Sequence, residues 1–121
     1  MSRVLVVDDN GLIRAMLRSI LTDEGYEVDV AEDGDVGLDA AHARRPDLII
    51  TDYYMARMHG DDLVKALRKD GGAFTNTPII GLAGTVGSEK KLRSAGVTEY
   101  LAKPFMKKAL LDTVRTLLQQ K

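Results

Sequence analysis

Three short segments of this chain carry residues that could do chemistry together. Asp8-Asp9 follows the apolar run Val4, Leu5, Val6, Val7; Asp52 follows Leu48, Ile49, Ile50, Thr51; and Lys103-Pro104 follows Tyr100, Leu101, Ala102. If each run is a strand of one parallel α/β sheet, the carboxyl ends of the strands share an edge and these residues meet in one cleft. Three carboxylates and one ammonium sum to −2, a set that invites a hard divalent cation. Mg²⁺ prefers oxygen ligands and keeps several waters, so two carboxylates plus a carbonyl suffice to hold it. Such a cation lets an anionic carboxylate approach an anionic phosphoryl donor, while a lysine offsets developing charge. Taken alone, Asp8-Asp9 is more simply a helix N-cap beside a solvated neighbour. Asp52 and Lys103 at matching strand ends shift the balance to a site.

The positioning elements are legible as alternating periods. Residues 4–7 read as a strand buried on both faces. Leu12, Ile13, Met16, Leu17, Ile20 and Leu21 fall on one helical face, with Gly25 as a stop. Tyr26, Val28 and Val30 alternate with Glu27 and Asp29, as on an edge strand with one wet face. Asp33-Gly34 opens an Ala-rich helix to about Arg44, closed by Pro46. The third strand is 48–51, and a loop from Asp52 to Gly60 leads to a helix carrying Leu63, Val64, Ala66 and Leu67, broken by Gly71-Gly72. Pro78 precedes a fourth strand, 79–82. A short polar helix, 88–95, anchored by Leu92, ends at Gly96, and 98–101 is the fifth strand. Pro104 is expected as the first residue of a last helix that buries Leu110, Leu111, Val114, Leu117 and Leu118. Five βα units imply one α/β domain over 1–121, an open parallel sheet with helices on both faces. Strands one, three and four read as most buried and strand two as an edge, which the order 2-1-3-4-5 satisfies.

Composition narrows the classes. The 121 residues are 45% hydrophobic and 29% charged, as in ordinary globular domains, with a net charge of −1. That balance gives no general attraction to nucleic acid or to an anionic membrane. Zero cysteines exclude a disulfide framework and thiolate metal sites. No apolar run approaches the ~20 residues that span a bilayer, and the expectation is a cytoplasmic protein without a signal peptide.

The segments Val7-Asp8-Asp9, Asp52-x-x-Met55-x-x-Met58-x-Gly60, Ala95-Gly96 and Tyr100-Leu101-Ala102-Lys103-Pro104-Phe105, in this order, resemble the receiver domain of bacterial two-component response regulators over the whole chain. The resemblance implies the flavodoxin-like doubly wound sheet, order 2-1-3-4-5 with five helices, in which chemotaxis receivers are built. It also implies roles. Asp52 matches the phosphoacceptor, attacking a phosphohistidine or a small phosphodonor. Asp9 matches the direct Mg²⁺ ligand, with Asp8 assisting through water and the Tyr54 backbone carbonyl as a further ligand. Lys103 matches the lysine on the phosphoryl group, the backbone at Ala83 and Gly84 lines the phosphate, and Tyr100 matches an aromatic switch. The Lys103-Pro104 bond is expected to be cis. Partners would be a sensor histidine kinase or histidine phosphotransfer protein and a downstream protein target, and the chain reads as a stand-alone receiver.

The chain also departs from that pattern. Receivers usually place Ser or Thr after the fourth strand, where this sequence has Ala83 followed by Gly84; Thr85 would supply the hydroxyl only through a rebuilt loop. A hydrogen bond to a charged group is worth about 1.5–3 kcal/mol, against about 5.5 kcal/mol for a full two-state switch. Phosphorylation is therefore expected to survive and the conformational readout to be atypical. Ala56 stands where proline commonly follows the methionine, which should loosen the loop after Asp52. Tyr54, two residues beyond the acceptor, is expected to slow hydrolysis of an acyl phosphate.

His42 and His59 read as surface residues, and Lys90, Lys91, Arg93, Lys107 and Lys108 as a solvated basic flank. Gly81, Gly84 and Gly87 lack nucleotide-loop spacing. Two alternatives stand beside the receiver. A phosphorylation-independent interaction module on the same fold is favoured by Ala83. A magnesium-dependent phosphatase with an aspartyl nucleophile would want an acid two residues on, where Tyr54 stands.

Overall fold

The computed structural model describes residues 2–70 and 72–119. Ten elements alternate without exception: β1 (Arg3–Val7), α1 (Gly11–Asp23), β2 (Glu27–Ala31), α2 (Gly34–Arg44), β3 (Leu48–Asp52), α3 (Gly60–Arg68), β4 (Ile79–Ala83), α4 (Ser88–Ala95), β5 (Glu99–Ala102) and α5 (Lys107–Gln119). The strands pair in parallel in the order β2-β1-β3-β4-β5. This is the flavodoxin-like sheet the sequence implies.

Strand alternation divides the core in two. Val4, Val6, Leu48, Ile50, Ile80 and Leu82 face one side, where Leu17 and Leu21 of α1 and Leu110, Val114 and Leu117 of α5 cover them. Leu5, Val7, Ile49 and Ile79 face the other, against Ala41 of α2 and Leu63, Val64 and Leu67 of α3. Each fully buried aliphatic contributes about 1.5–3 kcal/mol, so the central strands are fixed in register by both faces. All residues of β3 and β4 are buried, whereas β2 and β5 are partly open edges.

Local signals set the ends. The Asn10 side chain accepts from the Leu12 and Ile13 amides to start α1, and Asp33 caps α2 through the Val36 amide at 2.9 Å. Gly25 and Gly96 end α1 and α4 with φ of +91° and +116°, where a side chain would be strained. α4 has the expected bounds, with Leu92 fully buried.

Three expectations are corrected. Pro104 does not begin the last helix; α5 starts at Lys107, and Met106 accepts its first backbone bond, from Leu110. The intervening residues are occupied: the Lys103 amide still pairs with the Ala83 carbonyl, and Phe105 is partly buried against the core cluster that α1 and α5 cover. β5 lies one residue later than expected, because the Thr98 side chain accepts from the Ile79 amide and so terminates the incoming loop. α3 ends at Arg68, before the glycine pair; Gly72 occupies a turn with φ +93°, and Gly71 lies outside the described residues. The Lys103-Pro104 bond is cis, as expected.

Candidate phosphoacceptor site

The sheet topology alone delivers Asp8, Asp52 and Lys103 to one edge. β1 and β3 are neighbours, with Val7 opposite Thr51, and the next residue on each side is an aspartate. Asp52 is itself the last residue of β3, and its strand partner is Leu82 of β4. Lys103 follows β5 and spans β4 to reach them. Its Nζ donates to Asp52 Oδ1 at 3.0 Å and to Asp8 Oδ2 at 3.3 Å. Asp8, Asp9 and Asp52 each offer a carboxylate oxygen within 4.8 Å of the others.

Burial decides the electrostatics. Asp8 is fully buried and Asp52 is 7% exposed, while Asp9 is open to solvent. Burial pushes the Asp52 carboxyl above the usual carboxylate range; the Lys103 hydrogen bond pulls it back, and the Asp8 charge pushes it up again. For Lys103, burial favours the neutral amine. The hydrogen bond it donates to Asp52 and the charges of Asp52 and Asp8 outweigh it, so its pKa lies above the ordinary lysine value. The lysine is thus a fixed cation among three acids, and the cluster remains short of positive charge. The remaining Asp8 oxygen accepts the Asn10 amide at 2.9 Å, and Arg14 of α1 donates to the Asp8 carbonyl at 2.8 Å. These two bonds hold the turn that aims the acidic pair.

The rim departs from symmetry in ways the sequence only partly announces. Ala83 is buried, and its methyl group joins Tyr53 and Leu92 in a small apolar cluster where a hydroxyl is usual in receivers. The Ala83 carbonyl accepts both the Lys103 amide at 3.0 Å and the Tyr100 hydroxyl at 2.8 Å. Gly84 lies against the Lys103 backbone, 3.2 Å from that carbonyl to where a Cβ would stand. Thr85 is exposed, and its carbonyl accepts from the Ser88 amide and hydroxyl, so the residue serves the entry to α4. Tyr54 is half exposed and meets the rings of Tyr53 and His59 edge-on.

Tyr53 was not singled out by sequence reasoning, yet it is buried directly beside Asp52, with the Lys91 ammonium 6.0 Å from its ring centroid. Its sole sequence signal is adjacency to Asp52. The basic flank dissolves into separate environments: Arg93 pairs with Glu89 at 2.9 Å and Lys108 with Asp112 at 2.8 Å, both at helical i,i+4 spacing. His42 and His59 are at the surface, as expected. No helix among the described residues is long and apolar enough to cross a membrane.

Comparison with known proteins agrees with this geometry. The family profile described as the response regulator receiver domain matches residues 4–115. The response regulator MprA of Mycolicibacterium vanbaalenii is 36% identical over 120 residues, covering 98% of this chain and 51% of its own length. The chain therefore spans about half the length of the curated relatives it matches. Among solved structures, the chemotaxis response regulator CheY4 of Vibrio cholerae superposes with a TM-score of 0.89 at 39% identity, covering 97% of this chain and 98% of that one. The receiver domain of the sensor histidine kinase PA1611 of Pseudomonas aeruginosa, solved with a magnesium ion coordinated in its active-site cleft, superposes with a TM-score of 0.90 at 26% identity over 97% of each chain. With the acids, the lysine and the sheet that joins them all in place, this chain belongs to the response regulator receiver family of two-component signalling.

Proposed function

We propose that Asp52 is the phosphoacceptor and that the chain relays a phosphoryl group from a phosphohistidine on a sensor kinase or phosphotransfer protein, acting in the cytoplasm. The observation that carries this is the Lys103 ammonium bridging Asp52 and Asp8 at 3.0 and 3.3 Å inside a cluster of three carboxylates. One lysine against three acids leaves −2. The donor set is all hard oxygen, which suits Mg²⁺ held by Asp8, Asp9, Asp52 and the Tyr54 carbonyl. Bound there, the ion would screen the acceptor from the incoming phosphoryl charge.

The chain's own residues do the rest. An Asp52 carboxylate oxygen forms a bond to phosphorus as the phosphorus–nitrogen bond to the donor imidazole breaks, giving an aspartyl phosphate and a free histidine. Lys103, its charge stabilised by Asp8 as well as Asp52, keeps one ammonium proton on the transferring group and offsets its negative charge. The Ala83 and Gly84 backbone would line the phosphate. Exposed Leu12, Tyr54, Val86 and Met106 surround the cleft and suit an apolar donor surface. The module catalyses only its own phosphorylation and a slow hydrolysis that Tyr54, two residues beyond the acceptor, restrains.

Output is less conventional. With Ala83 in place of a hydroxyl, and with Tyr100 already bonded to the Ala83 carbonyl, phosphorylation acts on a target through rearranged contacts of the β4–α4 and β5 region or through onward transfer. The same observation favours a second reading, a phosphorylation-independent interaction module. Phosphate incorporation from a small phosphodonor with and without Mg²⁺, with Asp52→Ala as control and amide NMR spectra before and after, separates them. Metal-dependent labelling lost in the mutant is expected, with shifts reaching Tyr100. Absence of labelling in wild type selects the interaction module.

A further inference from the structure

The loop that follows the acceptor lacks a proline at residue 56, yet it is not loose. Two contacts tie it to the start of α2. Arg57 donates through Nε and Nη2 to Asp33 Oδ2, at 3.2 and 2.5 Å, across 24 residues of sequence. Beside it, Met58 lies so close to Gly34 that a Cβ on the glycine would stand 2.6 Å from the Met58 Cβ and 2.7 Å from its carbonyl oxygen. The loop and the helix start are in van der Waals contact through backbone and short side chains.

The anchor on the α2 side is rigid. The Asp33 side chain is buried, and its other oxygen caps the helix through the Val36 amide at 2.9 Å. Both oxygens are thus committed, and the carboxylate cannot rotate without uncapping α2. Arg57 itself stands at φ +67°, a left-handed conformation that an arginine rarely adopts. The Arg57 side chain stays largely in solvent, yet two of its nitrogens converge on one oxygen of a buried carboxylate while its backbone sits in an unfavourable region, so the pair holds the loop in that shape. Asp35 adds a weaker contact at 3.9 Å, keeping the guanidinium in an acidic corner.

What this strap restrains is the segment between Asp52 and Arg57, which contains Tyr54. We infer that Arg57, paired with Asp33, is a positioning residue that fixes the loop carrying the Tyr54 backbone for cation and phosphoryl binding, a stiffening device in place of proline. The inference rests on the proposed function for its consequence at the site. Its structural part stands without it, because loop stiffness can be read on the metal-free protein.

The test uses Arg57→Gly, Asp33→Asn and the double variant Ala56→Pro/Arg57→Gly. Glycine accepts the left-handed backbone freely, so Arg57→Gly removes the pair without straining the chain. Asparagine still caps α2, so Asp33→Asn weakens the pair without unravelling the helix. No hydrogen bond among the described residues uses the Ala56 amide, so proline is admissible there. Three quantities are read: melting temperature, amide hydrogen exchange of residues 53–58 without metal, and the Mg²⁺ dissociation constant from an NMR titration.

Arg57→Gly and Asp33→Asn are each expected to speed exchange of the loop about fivefold and weaken Mg²⁺ by a similar factor. Arg57→Gly should lower the melting temperature only modestly, since relief of the left-handed backbone offsets part of the lost pair with Asp33. Ala56→Pro should recover most of both effects. Unchanged exchange and Mg²⁺ affinity in Arg57→Gly would overturn the inference. So would failure of proline to restore them, since the guanidinium charge and not loop stiffness would then be responsible. If wild type binds no Mg²⁺, the proposed function falls while the exchange arm still decides the strap.

Discussion

Asp52→Asn should make the metal-free protein more stable, and the size of the gain follows from the cluster. At an effective dielectric of about 20, two carboxylates no more than 4.8 Å apart repel by at least about 3.5 kcal/mol. Asp52 faces two of them, Asp8 and Asp9. Its attraction to the Lys103 ammonium at 3.0 Å is about 5.5 kcal/mol on the same scale. The balance is unfavourable by about 1.5 kcal/mol. Solvent around exposed Asp9 reduces the repulsion, and the burial of Asp52 adds to the cost. An asparagine keeps the shape and can still accept the lysine hydrogen bond. Removing the charge should therefore raise the melting temperature by about 6 °C in a domain of this size.

The sign has a pH signature. The folded-state pKa of Asp52 is raised, chiefly by burial. Below the ordinary carboxylate value the residue is protonated in folded and unfolded chains alike, and its stability contribution is fully present. That contribution is lost as pH rises through the higher folded value. Wild type and Asp52→Asn should melt together near pH 3 and separate towards pH 7. Saturating Mg²⁺ at a hundredfold excess over its dissociation constant adds about 2.7 kcal/mol to wild type and should reverse the order. Thermal melts of both proteins in EDTA and in MgCl₂ across this range decide the matter. An Asp52→Asn protein that melts below wild type in EDTA at pH 7 would refute the electrostatic account of the cluster.

Other perturbations probe the frame. Arg68 has no carboxylate partner among the described residues; its guanidinium donates instead to the carbonyls of Gly96, Phe74, Thr75 and Thr77 and to the Thr98 hydroxyl. Arg68→Met should cost about 3–4 kcal/mol in urea unfolding by orphaning those acceptors, and a loss under about 1 kcal/mol would show that water replaces it. Gly60→Ala would set a Cβ 2.1 Å from the Asp52 carbonyl oxygen, and a loss of about 3 kcal/mol or outright misfolding is expected on expression and circular dichroism. His42 presents one ring nitrogen to the Leu38 carbonyl and the other to Asp70, both at 2.9 Å, so only the imidazolium satisfies both, and its pKa is raised first by Leu38 and then by Asp70. The stabilisation is complete below the unfolded value near 6.5 and is lost as pH rises through the higher folded value. The melting difference between wild type and Asp70→Asn should accordingly shrink from pH 6 to pH 8.5, and a pH-independent difference would remove the imidazolium from the account.

The acids and the lysine were legible because strand ends are legible: once the period fixes five parallel strands, topology alone brings residues 8, 52 and 103 together. The bounds of α4 were equally local, written in Leu92 and Gly96. The start of α5 was not, since Pro104 is a good first helical residue in isolation, and the strand bond of Lys103 and the packing of Phe105 that delay the helix to Lys107 are tertiary. The Asp33–Arg57 pair escaped for the same reason. Asp33 announced itself as an N-cap, but nothing local says that a coil arginine 24 residues later will close on it. Ala56 suggested looseness, and the tie that opposes it is tertiary. The pairing of Arg93 with Glu89 is local, written in the i,i+4 spacing that the run of positive charge around it obscures.

The lysine that balances the site is separated from Asp8 by 95 residues and from Asp52 by 51. Nothing shorter than the four strands β1, β3, β4 and β5 can join them, because β4 lies between β3 and β5. A chain still being synthesised has all three carboxylates long before the lysine emerges, and a half-formed sheet gathers like charges with no counterion. Such long-range closure is slow and comes late. Under the proposed function, competence to take up phosphate is therefore a property of the finished fold, and a phosphodonor that needs this cleft would have a built-in means of ignoring nascent, truncated or partly unfolded copies.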